Sequence, residues 1–122
     1  MINDCPPSHN NISIDHLNCK GLVSKLQEIK EYVNIAEPDI ICLSETWLTK
    51  NEPTIKNYQP FFKNRLGVGG GLGIFTVNSL TVRELNLKSF QNGFLEFLGI
   101  EIFTYGNNWI KILCLYLSLI HI

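Results

Sequence analysis

The sequence predicts an α/β protein built in layers around a mixed β-sheet with one crossover helix, and three observations support this class. A helical pattern of apolar residues runs from Leu22 to Ala36. An unbroken apolar run, Ile40 to Leu43, follows it closely. The rest of the chain is a succession of strand-like runs separated by turn signals. A crossover helix followed by hairpins is typical of a layered α/β fold.

The first strand, the helix and the second strand form a β-α-β unit. Ile12 to Asn18 alternates in polarity, which predicts a short strand. We expect Ser24, with Gln27 three residues later, to form a capping box at the helix start. Pro38 ends the helix because proline cannot continue it. Ile40 to Leu43 is apolar at every position, which favours a strand covered on both faces. The apolar helix positions are Leu22, Leu26, Ile29, Val33 and Ala36.

The remainder of the chain predicts a loop and then strands. Lys50 to Pro60 is polar and rich in turn-forming residues, which indicates a loop. A glycine cluster at 69–71 leads into a strand, so it indicates a hairpin rather than a phosphate loop, which would lead into a helix. The predicted strands are Leu72 to Val77, Thr81 to Leu85, Phe94 to Phe103 and Trp109 to Tyr116, with turns at Asn78-Ser79 and at 105–108.

The composition favours a folded unit and argues against binding nucleic acid by charge alone. Hydrophobic residues make up 45% of the chain and charged residues 17%, a balance typical of a buried core rather than of disorder. Ten lysines and arginines stand against eleven aspartates and glutamates, so the formal net charge is −1. Proteins that hold nucleic acid by neutralising phosphates show a basic surplus. Any action on DNA must therefore come from a local site.

Zinc sites, secretion and membrane anchoring are also disfavoured. The four cysteines lie far apart and form no C-x-x-C pair, and we expect Cys42 and Cys114 to be small core residues. No secretory signal opens the sequence, so an intracellular setting is the default expectation. The most apolar stretch, Ile110 to Ile122, contains Lys111 and is shorter than the roughly twenty apolar residues that span a bilayer.

Two polar residues stand out by their position at the ends of neighbouring strands. Asn18 ends the first strand and Glu45 ends the buried one, so the β-α-β unit brings both to one sheet edge. A carboxylate beside an amide oxygen suits Mg²⁺, which takes one or two carboxylates together with waters and substrate phosphate. On these residues alone, two interpretations stay open: a metal site, or a surface glutamate near a turn or helix-entry asparagine.

Three segments in order carry a family resemblance. They are Leu17 to Leu22, Pro38 to Leu48 and Arg65 to Phe75. With these motifs the chain resembles the endonuclease/exonuclease/phosphatase family over about residues 12 to 116. The nearest likeness is to the endonuclease domains of jockey-type non-LTR retrotransposons, which show an Asn-Cys-Arg-Ser-Leu-like stretch, a Pro-Asp-Ile…Glu-Thr-Trp-Leu stretch and a hairpin with three glycines.

The resemblance implies a four-layer α/β sandwich, of which this chain would be the N-terminal half, and a Mg²⁺-dependent DNA endonuclease. The intact parent would act on nuclear DNA, nicking the target to prime reverse transcription. Glu45 matches the family's metal ligand, and Asn18 matches its active-site asparagine near metal and phosphate. Tyr116 matches an active-site tyrosine, although Leu117-Ser118-Leu119 replaces the usual Arg-Pro-Pro, so a core or edge tyrosine stays the alternative.

The resemblance also implies that this chain is inactive alone. The family's water-activating base and its partner carboxylate lie in Gly-Asp-x-Asn and Ser-Asp-His motifs, and neither occurs in this sequence. We therefore divide the chain into a flexible leader, 1–11, an incomplete domain, 12–116, and an adaptor-derived scar, 117–122, which resembles a translated sequencing adaptor. A genuine apolar strand end is the alternative for the last segment.

Several features admit a second interpretation. Arg65 is interpreted as a solvated loop residue, with contact to a DNA backbone as the alternative. Trp47 and Trp109 are interpreted as core residues rather than base-stacking platforms. Two rival functions stay open: a non-catalytic remnant that binds a partner through an exposed sheet, and a phosphodiesterase of the same family that acts on a phospholipid or inositol phosphate. The oligomeric state is not predicted.

Overall fold

The computed structural model describes residues 11–65, 69–87 and 95–117. This part of the chain contains one α-helix and seven strands, with a short 3-10 turn, Tyr105–Asn107, between the last two strands. The elements are β1 (Ile14–Asn18), α1 (Leu22–Ala36), β2 (Ile40–Ser44), β3 (Tyr58–Lys63), β4 (Leu72–Val77), β5 (Val82–Glu84), β6 (Leu95–Thr104) and β7 (Asn108–Leu117).

The strands form two sheets. The first sheet has four strands in the order β1-β2-β4-β3, and the second has three in the order β5-β6-β7. β1 and β2 run parallel, whereas every other pair is antiparallel. The predicted crossover through the helix and the predicted mixed sheet are both confirmed.

The first sheet is covered on both faces, as the unbroken apolar run in β2 predicts. All five residues of β2 are buried, and their side chains alternate between two cores. On one face, Ile41 and Leu43 pack with the apolar side of α1. On the other, Ile40 and Cys42 pack against the second sheet. The described residues thus form three layers of helix, sheet and sheet. The second core includes Leu72, Ile74, Leu98, Ile100, Ile102 and Cys114.

The cysteines behave as the sequence predicts. Cys42 and Cys114 are buried free thiols, and they meet where β2 packs against β7. A hydrogen bond with Cys42 and burial together raise the pKa of the Cys114 thiol. These two thiols are therefore small core groups at the contact between the sheets.

The two ends of the helix differ in how well they were predicted. The prediction of a capping box is wrong, because the helix starts two residues before Ser24 and its N-cap is Gly21, with φ 102°. Ser24 Oγ instead donates to the Gly21 carbonyl at 3.0 Å. The predicted stop before Pro38 is confirmed, since Glu37 adopts a left-handed conformation and its N–H donates to the Val33 carbonyl at 2.9 Å.

Strand β3 was missed by the sequence prediction of a loop from Lys50 to Pro60. It lies at the edge of the first sheet, where Pro60 is exposed and its missing N–H is tolerated. Its residues are mostly half-buried, so no clean alternation marks the strand. The strand pairs with β4 from Tyr58 to Lys63.

The proposed division of the chain into three parts stays a prediction. Most of the leader and residues 118–122 lie outside the described residues. Leu117 is the final residue of β7, where it pairs with Leu95. Within the ranges given above, no helix is both long and apolar enough to cross a membrane.

One stability prediction arises at the junction of α1 and β3. The Tyr58 hydroxyl donates to the Pro38 carbonyl at 2.6 Å. We expect Tyr58→Phe to lower the free energy of unfolding by about 1 kcal/mol at pH 7, because a part-buried hydrogen bond is lost. Burial, and then the charges of Asp39 and Glu37, raise the pKa of Tyr58.

The pH dependence checks the cause of that effect. A tyrosine whose pKa is raised by folding stabilises the protein fully below the unfolded value of about 10, and this stability is lost as pH rises through the folded pKa. Urea denaturation at pH 7 and pH 11 should therefore show a difference in unfolding free energy between wild type and variant that is smaller at the higher pH. A difference that is constant with pH would contradict the assignment to the hydroxyl.

Candidate active site

The parallel pairing of β1 with β2 places the two predicted metal-binding residues together. Asn18 pairs with Ser44 at the carboxyl ends of the strands, and Glu45 is the next residue along the chain. Asn18 Nδ2 donates to Glu45 Oε2 at 2.6 Å. The predicted proximity of these two side chains is confirmed, while their roles stay predictions.

The turn after β2 is held in an unusual backbone conformation. Glu45 and Trp47 have φ values of 54° and 57°, a left-handed region that side chains rarely adopt. Such conformations persist where the surroundings fix them, and they cluster at functional sites. Here four backbone hydrogen bonds fix the turn between the helix entry and the glycine segment 69–71. On the helix side, the N–H of Gly21 donates to the carbonyl of Glu45, and the N–H of Leu22 donates to the carbonyl of Thr46. On the glycine side, the N–H of Thr46 donates to the carbonyl of Gly71, and the N–H of Trp47 donates to the carbonyl of Gly70.

Tyr116 lies at the same place, although it comes from the second sheet. It pairs with Glu96 between β7 and β6. Burial and then the negative charge of Glu45 raise the pKa of Tyr116, with Glu96 acting in the same direction and Arg65 opposing. The phenol is therefore a protonated hydrogen-bond donor near neutral pH. All three predicted site residues, Asn18, Glu45 and Tyr116, meet at this edge.

An ion pair beside these residues was not predicted. Arg65 Nε donates to Glu96 Oε2 at 2.7 Å, and only 17% and 13% of the two side chains are exposed. The other oxygen of Glu96 accepts from Gly71 N–H at 3.0 Å. The interpretation of Arg65 as a solvated loop residue is therefore wrong. No sequence signal links the pair, because the partners are 31 positions apart, with Arg65 just after β3 of the first sheet and Glu96 in β6 of the second.

Both tryptophans lie at the surface, so their interpretation as core residues is wrong. Trp47 is 49% exposed, and its ring lies against Gly21, where a Cβ would come within 3.0 Å of Cε3. Trp109 is 36% exposed and packs edge-on against Phe103, with the Arg83 guanidinium 4.2 Å from its ring centre.

The residues at this edge fit a sparse Mg²⁺ site. The parts of the chain described above contain no group of three or more His, Cys, Asp or Glu side chains that could hold a metal ion. Mg²⁺ does not require one, since it commonly takes one or two carboxylates and keeps waters and substrate phosphate. Glu45 supplies one carboxylate. Asn18 uses Nδ2 for its bond to Glu45, so its amide oxygen is the atom that suits a cation.

Comparisons with known proteins bear on the fold. No family model and no curated protein matches the sequence. An AP endonuclease from Archaeoglobus fulgidus matches with a TM-score of 0.58 and 19% identity, over 86% of this chain and 40% of that one. TDP2 of D. rerio, humanized by 14 mutations, matches with a TM-score of 0.57 and 18% identity, over 88% of this chain and 47% of that one. The chain has part of the endonuclease/exonuclease/phosphatase fold, consistent with its N-terminal half.

A third solved structure extends this likeness. D. rerio TDP2 complexed with a single-strand DNA product matches with a TM-score of 0.56 and 16% identity, over 88% of this chain and 46% of that one. The chain spans less than half the length of each of these structures. The predicted fold class is confirmed, whereas the likeness to jockey-type retrotransposons stays a prediction.

Proposed function

We propose that this chain carries the metal-binding edge of a Mg²⁺-dependent phosphodiesterase that cleaves DNA. The observation that carries the proposal is the 2.6 Å hydrogen bond between Asn18 and Glu45 at two parallel strand ends. The similar structures include an AP endonuclease and a TDP2 complex with a single-strand DNA product, which supports DNA over a phospholipid or inositol phosphate as the substrate class.

The finer part of the proposal concerns the parent protein. We propose that it is a nuclear endonuclease of a non-LTR retrotransposon of the jockey type, which nicks target DNA to prime reverse transcription. The Glu-Thr-Trp-Leu motif that begins at Glu45 and the hairpin with glycines 69–71 support this assignment.

Each residue of the site has a chemical role in this proposal. Glu45 and the amide oxygen of Asn18 would hold the metal, which supplies positive charge to stabilise the scissile phosphate. The hydrogen bond from Asn18 orients the Glu45 carboxylate. The Tyr116 phenol, which like any tyrosine of ordinary or raised pKa is protonated at neutral pH, would donate to an oxygen of the same phosphate.

The chain alone is proposed to be inactive. The Gly-Asp-x-Asn and Ser-Asp-His motifs, which the resemblance assigns to water activation, are missing from the sequence. Loss of one member of an interdependent catalytic set lowers the rate by several orders of magnitude. We therefore expect no Mg²⁺-dependent nicking of supercoiled plasmid. Nicking that disappears in Glu45→Gln would show that the chain is active by itself.

Metal binding tests the site directly. In a titration of the purified chain with Mn²⁺, followed by NMR, the amide signals of residues 18, 45 and 116 should broaden first. Glu45→Gln should weaken this binding about tenfold, equivalent to roughly 1.4 kcal/mol, because the carboxylate proposed to hold the metal is lost. Glu84→Gln, which alters an exposed carboxylate on β5, is the matched control and should have no effect. Broadening that is unchanged in Glu45→Gln would refute the metal site.

A further inference from the structure

We propose that Arg65, held in place by Glu96, is a phosphate-binding residue that takes an oxygen of a DNA backbone phosphate beside the Glu45 site. The proposal deepens the proposed function and rests on it for the identity of the polymer. Phosphate binding itself needs no metal, so the two can be tested apart.

The guanidinium of Arg65 is fixed before any ligand arrives. Its Nε is bonded to Glu96 Oε2, and Glu96 is itself anchored through Oε1 to the Gly71 N–H. The Arg65 side chain also packs against the backbone of Gly70. A Cβ on Gly70 would lie 2.4 Å from Arg65 Nε. A guanidinium held in this way loses little conformational freedom when it binds an anion.

One end of this guanidinium has no partner among the described residues. Arg65 Nη2 is buried and makes no hydrogen bond with that part of the chain. A buried donor without a partner costs about 1–3 kcal/mol, more when it is charged. The planar fork of arginine matches the oxygens of a phosphate, so a phosphate would satisfy this donor.

The position of Arg65 relative to Glu45 indicates which phosphate it would bind. The glycine segment that it lies against is bonded to the turn that carries Glu45, through Trp47 N–H to the Gly70 carbonyl at 3.0 Å and Thr46 N–H to the Gly71 carbonyl at 3.3 Å. The positive charge of Arg65 also reaches the hydroxyl of Tyr116. A phosphate at Arg65 would therefore lie next to the phosphate proposed to meet Glu45, as successive phosphates of one strand do.

A second arginine supplies a matched comparison within the same molecule. Arg83 Nε donates to Glu101 Oε2 at the same 2.7 Å. In contrast to Arg65, its side chain is 63% exposed, and its guanidinium stacks on Trp109. The two ion pairs share their geometry, but only Arg65 has a buried donor left unsatisfied.

The experiment measures binding of inorganic phosphate, and then of a short single-stranded oligothymidine, to the purified chain in metal-free buffer. Arg65→Lys should weaken both about tenfold, because lysine offers a point charge in place of the planar fork. Arg83→Lys should leave both unchanged. Glu45→Gln should not weaken phosphate binding, which separates this proposal from the metal site.

A second measurement holds even if Arg65→Lys fails to fold. In the wild-type chain, the Arg65 Nε–H signal and the amide signals of Gly70 and Gly71 should shift on addition of phosphate, while the Arg83 Nε–H signal stays in place. Equal affinity in wild type and Arg65→Lys, or shifts centred on Arg83, would overturn the proposal. Binding to vesicles of an anionic phospholipid without binding to oligothymidine would overturn the assignment to DNA.

Discussion

Replacing Phe75 with alanine should lower the free energy of unfolding by about 3 to 5 kcal/mol, the usual cost of removing a buried phenyl ring. Phe75 is fully buried at the centre of the first sheet, between Ile41 on β2 and Pro60 on β3. Its ring meets that of Phe62 edge-on at 5.5 Å. A cavity there would remove support from the core beneath α1.

The loss is large relative to the stability of a small domain, which is typically 5–15 kcal/mol in total. Urea denaturation followed by circular dichroism would measure it. Phe75→Leu keeps most of the buried volume and should cost less than about 1.5 kcal/mol. Equal losses in the two variants would show that the ring is not packed as described.

Replacing Gly71 with alanine should destabilise the fold by about 3 kcal/mol and disturb the site at the same time. The residue has φ 92°, and an added Cβ would lie 2.4 Å from Thr46 Oγ1. Thr46 is fully buried and β-branched, so rotation of its side chain away from the added methyl group is restricted. Because Thr46 follows Glu45 directly, movement there would displace the carboxylate.

Gly69→Ala is the matched control for this variant. Gly69 also has a positive φ, of 76°, but among the described residues a Cβ there would approach only Arg65 Nη1, at 3.9 Å. This substitution should cost about 1 kcal/mol, from backbone strain alone. The difference between the two variants therefore isolates the clash with Thr46, and no difference between their unfolding curves would rule that clash out. Mn²⁺ binding should weaken in Gly71→Ala and persist in Gly69→Ala.

The sequence predicted those parts of the fold that local patterns specify. The helix, the buried strand β2 and the turns between later strands each follow from periodicity or from residues that favour one backbone conformation. The proximity of Asn18 and Glu45 could also be predicted, because two parallel strands joined by a helix end at one edge of the sheet. The role of Tyr116 came only from the resemblance, since nothing local in β7 points to it.

The remaining features depend on contacts between distant segments. Edge strand β3 carries a proline and mixed burial, so its identity comes from its pairing with β4. The ion pair between Arg65 and Glu96 joins the segment between β3 and β4 of the first sheet to strand β6 of the second. The exposure of Trp47 follows from a left-handed turn that is fixed by backbone hydrogen bonds. No residue type in the sequence predicts such a turn.

The candidate active site straddles the boundary between the two sheets. Asn18 and Glu45 come from one side of that boundary, and Glu96 and Tyr116 come from the other. A fluctuation that parts the layers would therefore disassemble the site while each layer kept its own hydrogen bonds. A bound nucleotide that contacts both sides would stabilise the packing of the two layers, and this stabilisation would increase with the concentration and affinity of the nucleotide.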